Sequence, residues 1–103
     1  MVHIVVLLET KDADALLAFE RQAVKIMKKY EGKLVAAFEP DSSGSSSNKI
    51  AEIHILEFPN IEAFNKYRAD PHLRELSELR MKAISNISVF VSGTYKDYET
   101  SNT

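Results

Sequence analysis

Residues 49–71 read KIAEIHILEFPNIEAFNKYRADP, and their punctuation decides the fold. Lys49 to Phe58 is short and rich in isoleucine and leucine, the strongest strand signal in the chain. Ala51, Ile53 and Ile55, with Glu57, form the set assigned to the core; Ile50, Glu52, His54, Leu56 and Phe58 form the opposite set. Pro59-Asn60 stops the strand and caps a short helix, Ile61 to Ala69, whose apolar side is Phe64 and Tyr67. Asp70-Pro71 is a restart signal, with Asp at the cap and Pro in the first turn.

Upstream, Val2 to Glu9 is a second short aliphatic segment. Val2, Ile4, Val6 and Leu8 share one face, and His3, Val5, Leu7 and Glu9 the other, so both faces are largely covered. Thr10-Lys11-Asp12 is a polar break with capping side chains. Leu16, Phe19, Ala23, Met27 and Tyr30 then recur at spacings of three and four, the apolar stripe of an amphipathic helix. Gly32 is expected to close that helix in a left-handed conformation. Lys33 to Glu39 reads as a strand, and Pro40 to Asn48, with five serines and Gly44, as a hairpin loop. Beyond Pro71, Leu73, Leu76, Leu79, Ala83 and Ile84 mark one further helix that Asn86 can end. Ile87 to Tyr95 alternates as a half-buried last strand.

The order is βαββαβ, so the expectation is an α+β ferredoxin-like fold, a four-stranded antiparallel sheet with helices on one face. Residues 1–96 form its single domain and 97–103 a polar C-terminal tail. The sheet face away from the helices is expected to carry His3, Val5, Leu7, Glu52, His54, Leu56, Phe58 and Phe90. A face this apolar calls for a partner, and a second copy is the commonest one. The expected partner is therefore the chain itself, as a homodimer.

Composition narrows the function. A net charge of −2 with Lys and Arg spread along the chain argues against nucleic acid. The chain has no cysteine, which excludes disulfides and thiolate chemistry. The N-terminus runs straight into a strand without a basic leader, and its apolar run is too short for a bilayer. The reading is a soluble cytoplasmic protein with no membrane role.

The run Glu57-Phe58-Pro59, the short helix to Tyr67, Asp70-Pro71, Arg80 and Gly93 resembles the dimeric α+β barrel superfamily, the group of antibiotic-biosynthesis monooxygenase-like domains. Within it the chain is most similar to an uncharacterised domain-of-unknown-function 1330-like family. The resemblance implies a dimeric barrel and a small-molecule ligand in a sheet–helix pocket. The superfamily includes cofactor-free oxygenases and isomerases, so no cofactor is expected. Fold alone leaves the chemistry open. The implied function is a cofactor-independent oxygenase- or isomerase-like enzyme acting on a small organic molecule; the alternative is a non-catalytic module that binds a metabolite or protein.

Six residues are candidates. Glu57, on the core-facing set, needs a partner because a lone buried charge is costly, and Arg80 is the partner expected. The pair either lines a pocket, with Glu57 as a base or Arg80 as an anion clamp, or ties the strand to its turn. His54 can shuttle a proton near neutrality, with His3 expected beside it on the neighbouring strand, or both can be interface histidines. With Glu52 they would make a weak metal set, and no metal is assigned. Tyr67 and His72 flank the helix break, where a hydroxyl or imidazole can meet a ligand; a half-wet core tyrosine is the plainer reading.

Overall fold

The computed structural model describes residues 1–41 and 49–99. Strand β1 (Val2–Thr10) buries Ile4, Val6 and Leu8 on the helix side and leaves His3, Val5 and Leu7 half-buried on the other. The polar break after it starts helix α1 (Ala13–Met27), capped by Asp12, whose Oδ1 accepts from the Ala15 amide at 3.0 Å. The stripe Leu16, Phe19, Ala23 and Met27 is buried as its spacing requires. A 3₁₀ turn, Lys28–Tyr30, ends the helix.

The left-handed residue at that end is Glu31, with φ of 59°, and not the expected Gly32. Gly32 is needed for room: a Cβ there would lie 2.4 Å from Met27 Cγ and 2.4 Å from Phe58 Cε1. Its amide donates to the Met27 carbonyl at 3.0 Å, closing the turn.

Strand β2 is Lys33–Phe38 and β3 is Glu52–Phe58. The expected loop between them falls on 42–48, outside the described residues. Helices α2 (Ile61–Arg68), α3 (Pro71–Glu75) and α4 (Ser77–Ala83) lead to β4 (Ile84–Val91). Asn60 caps α2 and Asp70 caps α3, as their side chains predict. Two expectations fail here. The helix after Pro71 is broken again at Leu76, and it ends at Ala83 rather than Asn86. The Ala83 carbonyl is taken by the Lys11 amide at 3.1 Å and the Thr10 hydroxyl at 2.7 Å, so the chain leaves the helix and pairs with β1 from Ile84.

The sheet order is β2-β3-β1-β4, antiparallel at each pairing, the ferredoxin-like α+β arrangement. Its register reverses the expected faces of β3. Leu56 stands opposite Ile4 and His54 opposite Val6, so the buried set is His54, Leu56 and Phe58. Phe58 decides this: it is fully buried, with its ring 5.3 Å from Phe64 and 5.5 Å from Tyr67. Ile53, Ile55 and Glu57 take the outer face beside Leu7, Val5 and His3. The outer face is still apolar, with Val5, Leu7, Ile53 and Ile55 at its centre and exposed Phe38 and Phe90 on its flanking strands. Leu56 and Phe58 do not belong to it.

Candidate functional site

Helices α3 and α4 are short, and their leucines Leu73 and Leu79, with Leu76 at the break between them, are only partly buried against the core. Val89 and Val91 point to the helix side of β4, yet remain 39% and 41% exposed. The roof therefore falls short of the edge strand. A cavity of about 370 Å³ opens beneath it, within the roughly 300–1,000 Å³ range of small-molecule sites. Val6, Leu56 and Val89 are on its sheet wall; Phe19, Phe64 and Leu73 are on its helix wall.

The polar groups in this cavity come from five elements. His54, carried inward by β3, is 4% exposed. Its Nε2 lies 2.8 Å from Glu52 Oε1. An ionised carboxylate only accepts, so Nε2 carries the shared proton and Nδ1 is turned toward Glu20 Oε2, 3.7 Å away. Glu20 projects from α1. Burial pushes its carboxyl above the ordinary carboxylate range; His54 opposes the shift and Glu52 adds to it. Tyr67, from α2, has its hydroxyl pushed well above the phenol range by burial and by the charge of Glu20, which keeps it a hydrogen-bond donor. Arg68, Arg74 and Arg80, from α2, α3 and α4, line the same cavity with Ser77.

Of the six expected residues, His54, Tyr67 and Arg80 meet here. Glu57 does not. The reversal of β3 puts it on the outer face, with Oε2 3.2 Å from His3 Nε2, so the expected Glu57–Arg80 pair is separated by the sheet. His3 also hydrogen-bonds the Tyr95 hydroxyl and lies on the face opposite His54, so the two histidines cannot share a proton or a metal ion. His72 is exposed on α3, where its Nδ1 accepts from Lys29 Nζ at 2.9 Å. It belongs to the α2–α3 joint, built on buried Asp70. That carboxylate accepts from the Tyr30 hydroxyl and from the His72 amide at 2.7 Å, and it is held below the ordinary range, foremost by the Tyr30 hydrogen bond.

Glu20, Arg74 and Ser77 escaped the sequence reading. A signal for Glu20 exists: it stands four residues after Leu16 and three before Ala23, a charge inside the apolar stripe. Among the described residues, no helix is long and apolar enough to cross a membrane.

Residues 1–94 match the family described as Domain of unknown function (DUF1330). No curated protein matches. Among solved structures, a protein of unknown function from Rhodopseudomonas palustris is 20% identical, with a TM-score of 0.78 over 93% of this chain and 83% of that one. An antibiotic biosynthesis monooxygenase is 17% identical, with a TM-score of 0.68 over 93% and 100%. SnoaB, a cofactor-independent oxygenase from Streptomyces nogalater, is 10% identical, with a TM-score of 0.68 over 95% and 96%. At such identities the likeness shows a shared fold.

Proposed function

The chain belongs to the DUF1330 family, and from that premise we propose that it is a cofactor-independent enzyme that moves a proton on a small organic molecule held in the sheet–helix cavity. One observation carries the reading: His54 is buried in that cavity between Glu52 and Glu20. An imidazole fixed on one nitrogen by a carboxylate has its other nitrogen positioned to accept a proton from an activated C–H or O–H. Glu20, whose carboxyl burial pushes above the ordinary range, is suited to take up a proton and return it. The Tyr67 hydroxyl is suited to donate to the oxyanion that forms. Deprotonation of this kind opens both an isomerisation and an oxygenation by molecular oxygen, and two neighbours of the fold are an oxygenase and a monooxygenase by name.

The proposal includes the setting. Residues 1–96 act as one cytoplasmic domain and 97–103 as its tail, and the outer faces of two copies close into a dimeric barrel. The apolar centre of that face supports the pairing. A light-scattering mass of 11.6 kDa at micromolar concentration rejects it.

The chemistry is tested by incubating the protein with enolisable ketones and phenols in D₂O and following C–H exchange by NMR. His54→Gln is expected to lower exchange by about 10²-fold or more. Glu20→Gln, an uncharged isostere, is the second variant in case the first folds poorly. Exchange that survives both substitutions overturns the assignment. Saturable binding without exchange of any compound supports the alternative of a non-catalytic ligand-binding module.

A further inference from the structure

The cavity has a charge pattern that the proton-transfer groups do not use. The chain has only four arginines, at 21, 68, 74 and 80, against nine lysines. Three of those arginines line the cavity and none of the lysines does. They arrive from three successive helices, so no single helical face explains the grouping. Among the described residues none of the three is in an ion pair. Among the described residues Glu20 is the one carboxylate on the cavity wall. All of this sits in a chain whose net charge is −2, so the cationic rim is local.

Arginine and lysine differ in the ligand they fit. A guanidinium offers a planar fork that takes a carboxylate through two hydrogen bonds and lies flat against aromatic rings. Arg68 already lies over the ring of Phe64, both of them cavity-lining residues, 5.2 Å from its centroid. The interior below is apolar, built from Val6, Leu56, Phe64 and Val89. A ligand that satisfies both zones has a flat apolar body and an anionic head.

We propose that the cavity takes aromatic or alicyclic carboxylates, the ring system seated between sheet and helices and the carboxylate held by the Arg74 and Arg80 forks. This rests on the cavity being the ligand site proposed above, and it assigns the class of substrate. The head-group at the arginines directs the far side of the ring toward His54 and Glu20.

The test compares 2-naphthoate with 2-naphthamide, its neutral isostere, by NMR titration at low salt. The wild-type protein is expected to bind the acid at least tenfold more tightly. Arg74→Gln/Arg80→Gln is expected to bring the two affinities within about twofold of each other, and raised salt to do the same in the wild type. Both arginines are exposed, so the double variant should melt with the wild type. Arg21→Gln, at the exposed arginine outside the cavity lining, should leave the acid-over-amide preference in place. Equal binding of acid and amide overturns this inference but leaves the cavity as a ligand site. Preference unchanged in the double variant also overturns it. Tighter binding of 2-naphthyl phosphate than of 2-naphthoate replaces the carboxylate with a phosphate. A preference for the acid that persists while exchange assays stay silent keeps this inference and sinks the catalytic one. If neither naphthalene binds at millimolar concentration, both fall.

Discussion

Alanine at Leu56 and at Ile55 separates the two faces of β3. Leu56 is 6% exposed and stands opposite Ile4 in the core. Leucine-to-alanine changes in cores cost about 2–5 kcal/mol, depending on how much empty volume remains. Leu56 already borders the cavity on one side, so it has fewer packing partners to lose. The lower part of the range follows, about 2–3 kcal/mol. Ile55 is only half-buried, opposite Val5 on the outer face, and in a single chain its truncation should cost about 1 kcal/mol. Urea unfolding followed by far-ultraviolet circular dichroism, at about 1 µM protein, measures both. A concentration series then reads the outer face. A hundredfold rise stabilises a dimer by about 2.7 kcal/mol. If two copies meet there, the Ile55→Ala penalty grows with concentration while that of Leu56→Ala stays constant. Should Ile55→Ala cost more than Leu56→Ala at the dilute limit, the register of β3 is wrong. His54 would then leave the cavity, and the proposed chemistry would go with it.

Glu20→Gln should stabilise the protein at neutral pH. Burial raises the folded carboxyl above its unfolded value of 4.5, so the wild type loses stability as pH rises through that interval. Thermal melts from pH 4 to 8 should show the variant's advantage appear across the interval and then level off. Asp70→Asn should do the reverse: the folded carboxyl is held below 3.8, so its contribution is present above that value and lost as pH falls through the folded one. The variant should melt lower at pH 7 and converge with the wild type in acid. Gly32→Ala should cost about 1–3 kcal/mol, because the buried Phe58 and Met27 must both move, whereas Glu31→Gly should be neutral or stabilising by up to about 1 kcal/mol. The opposite order in urea melts would return the left-handed conformation to Gly32.

What the sequence made legible follows from where polar residues mark a face. His3 and Glu9 tag the outer side of β1, and Ile4, Val6 and Leu8 are left as core without ambiguity. On β3 each alternating set holds two or more aliphatic residues and at least one acid, so counting apolar residues cannot choose between them. The choice is made off the strand, where Phe58 must reach Phe64, Tyr67 and the space left by Gly32. The set that wins carries a buried histidine, which hydrophobicity alone would place outside. A site built on a buried polar residue is where that rule is expected to fail. Arg74 was hidden for another reason: its place at the cavity depends on the break at Leu76, which has neither proline nor glycine to announce it.

The same strand explains how a small sheet can hold both a cavity and an apolar outer face. A one-residue slip of β3 would carry Glu57 in among Phe64 and Tyr67 and push Phe58 toward the outer side. That exchanges a buried aromatic for a buried carboxylate, so both consequences oppose the slip. Along β3 the register with β1 is unbroken from Phe58 to Glu52. The sheet contains two irregularities, one in β2 between Leu34 and Ala36 and one in the β1–β4 pairing, where Glu9 faces Asn86 but Thr10 faces Ile84. Neither shift adds a residue to β3, the strand that carries His54. His54 is fixed on a central strand, with Glu52 two residues before it on the same face, a rigid placement that the proposed proton transfer requires.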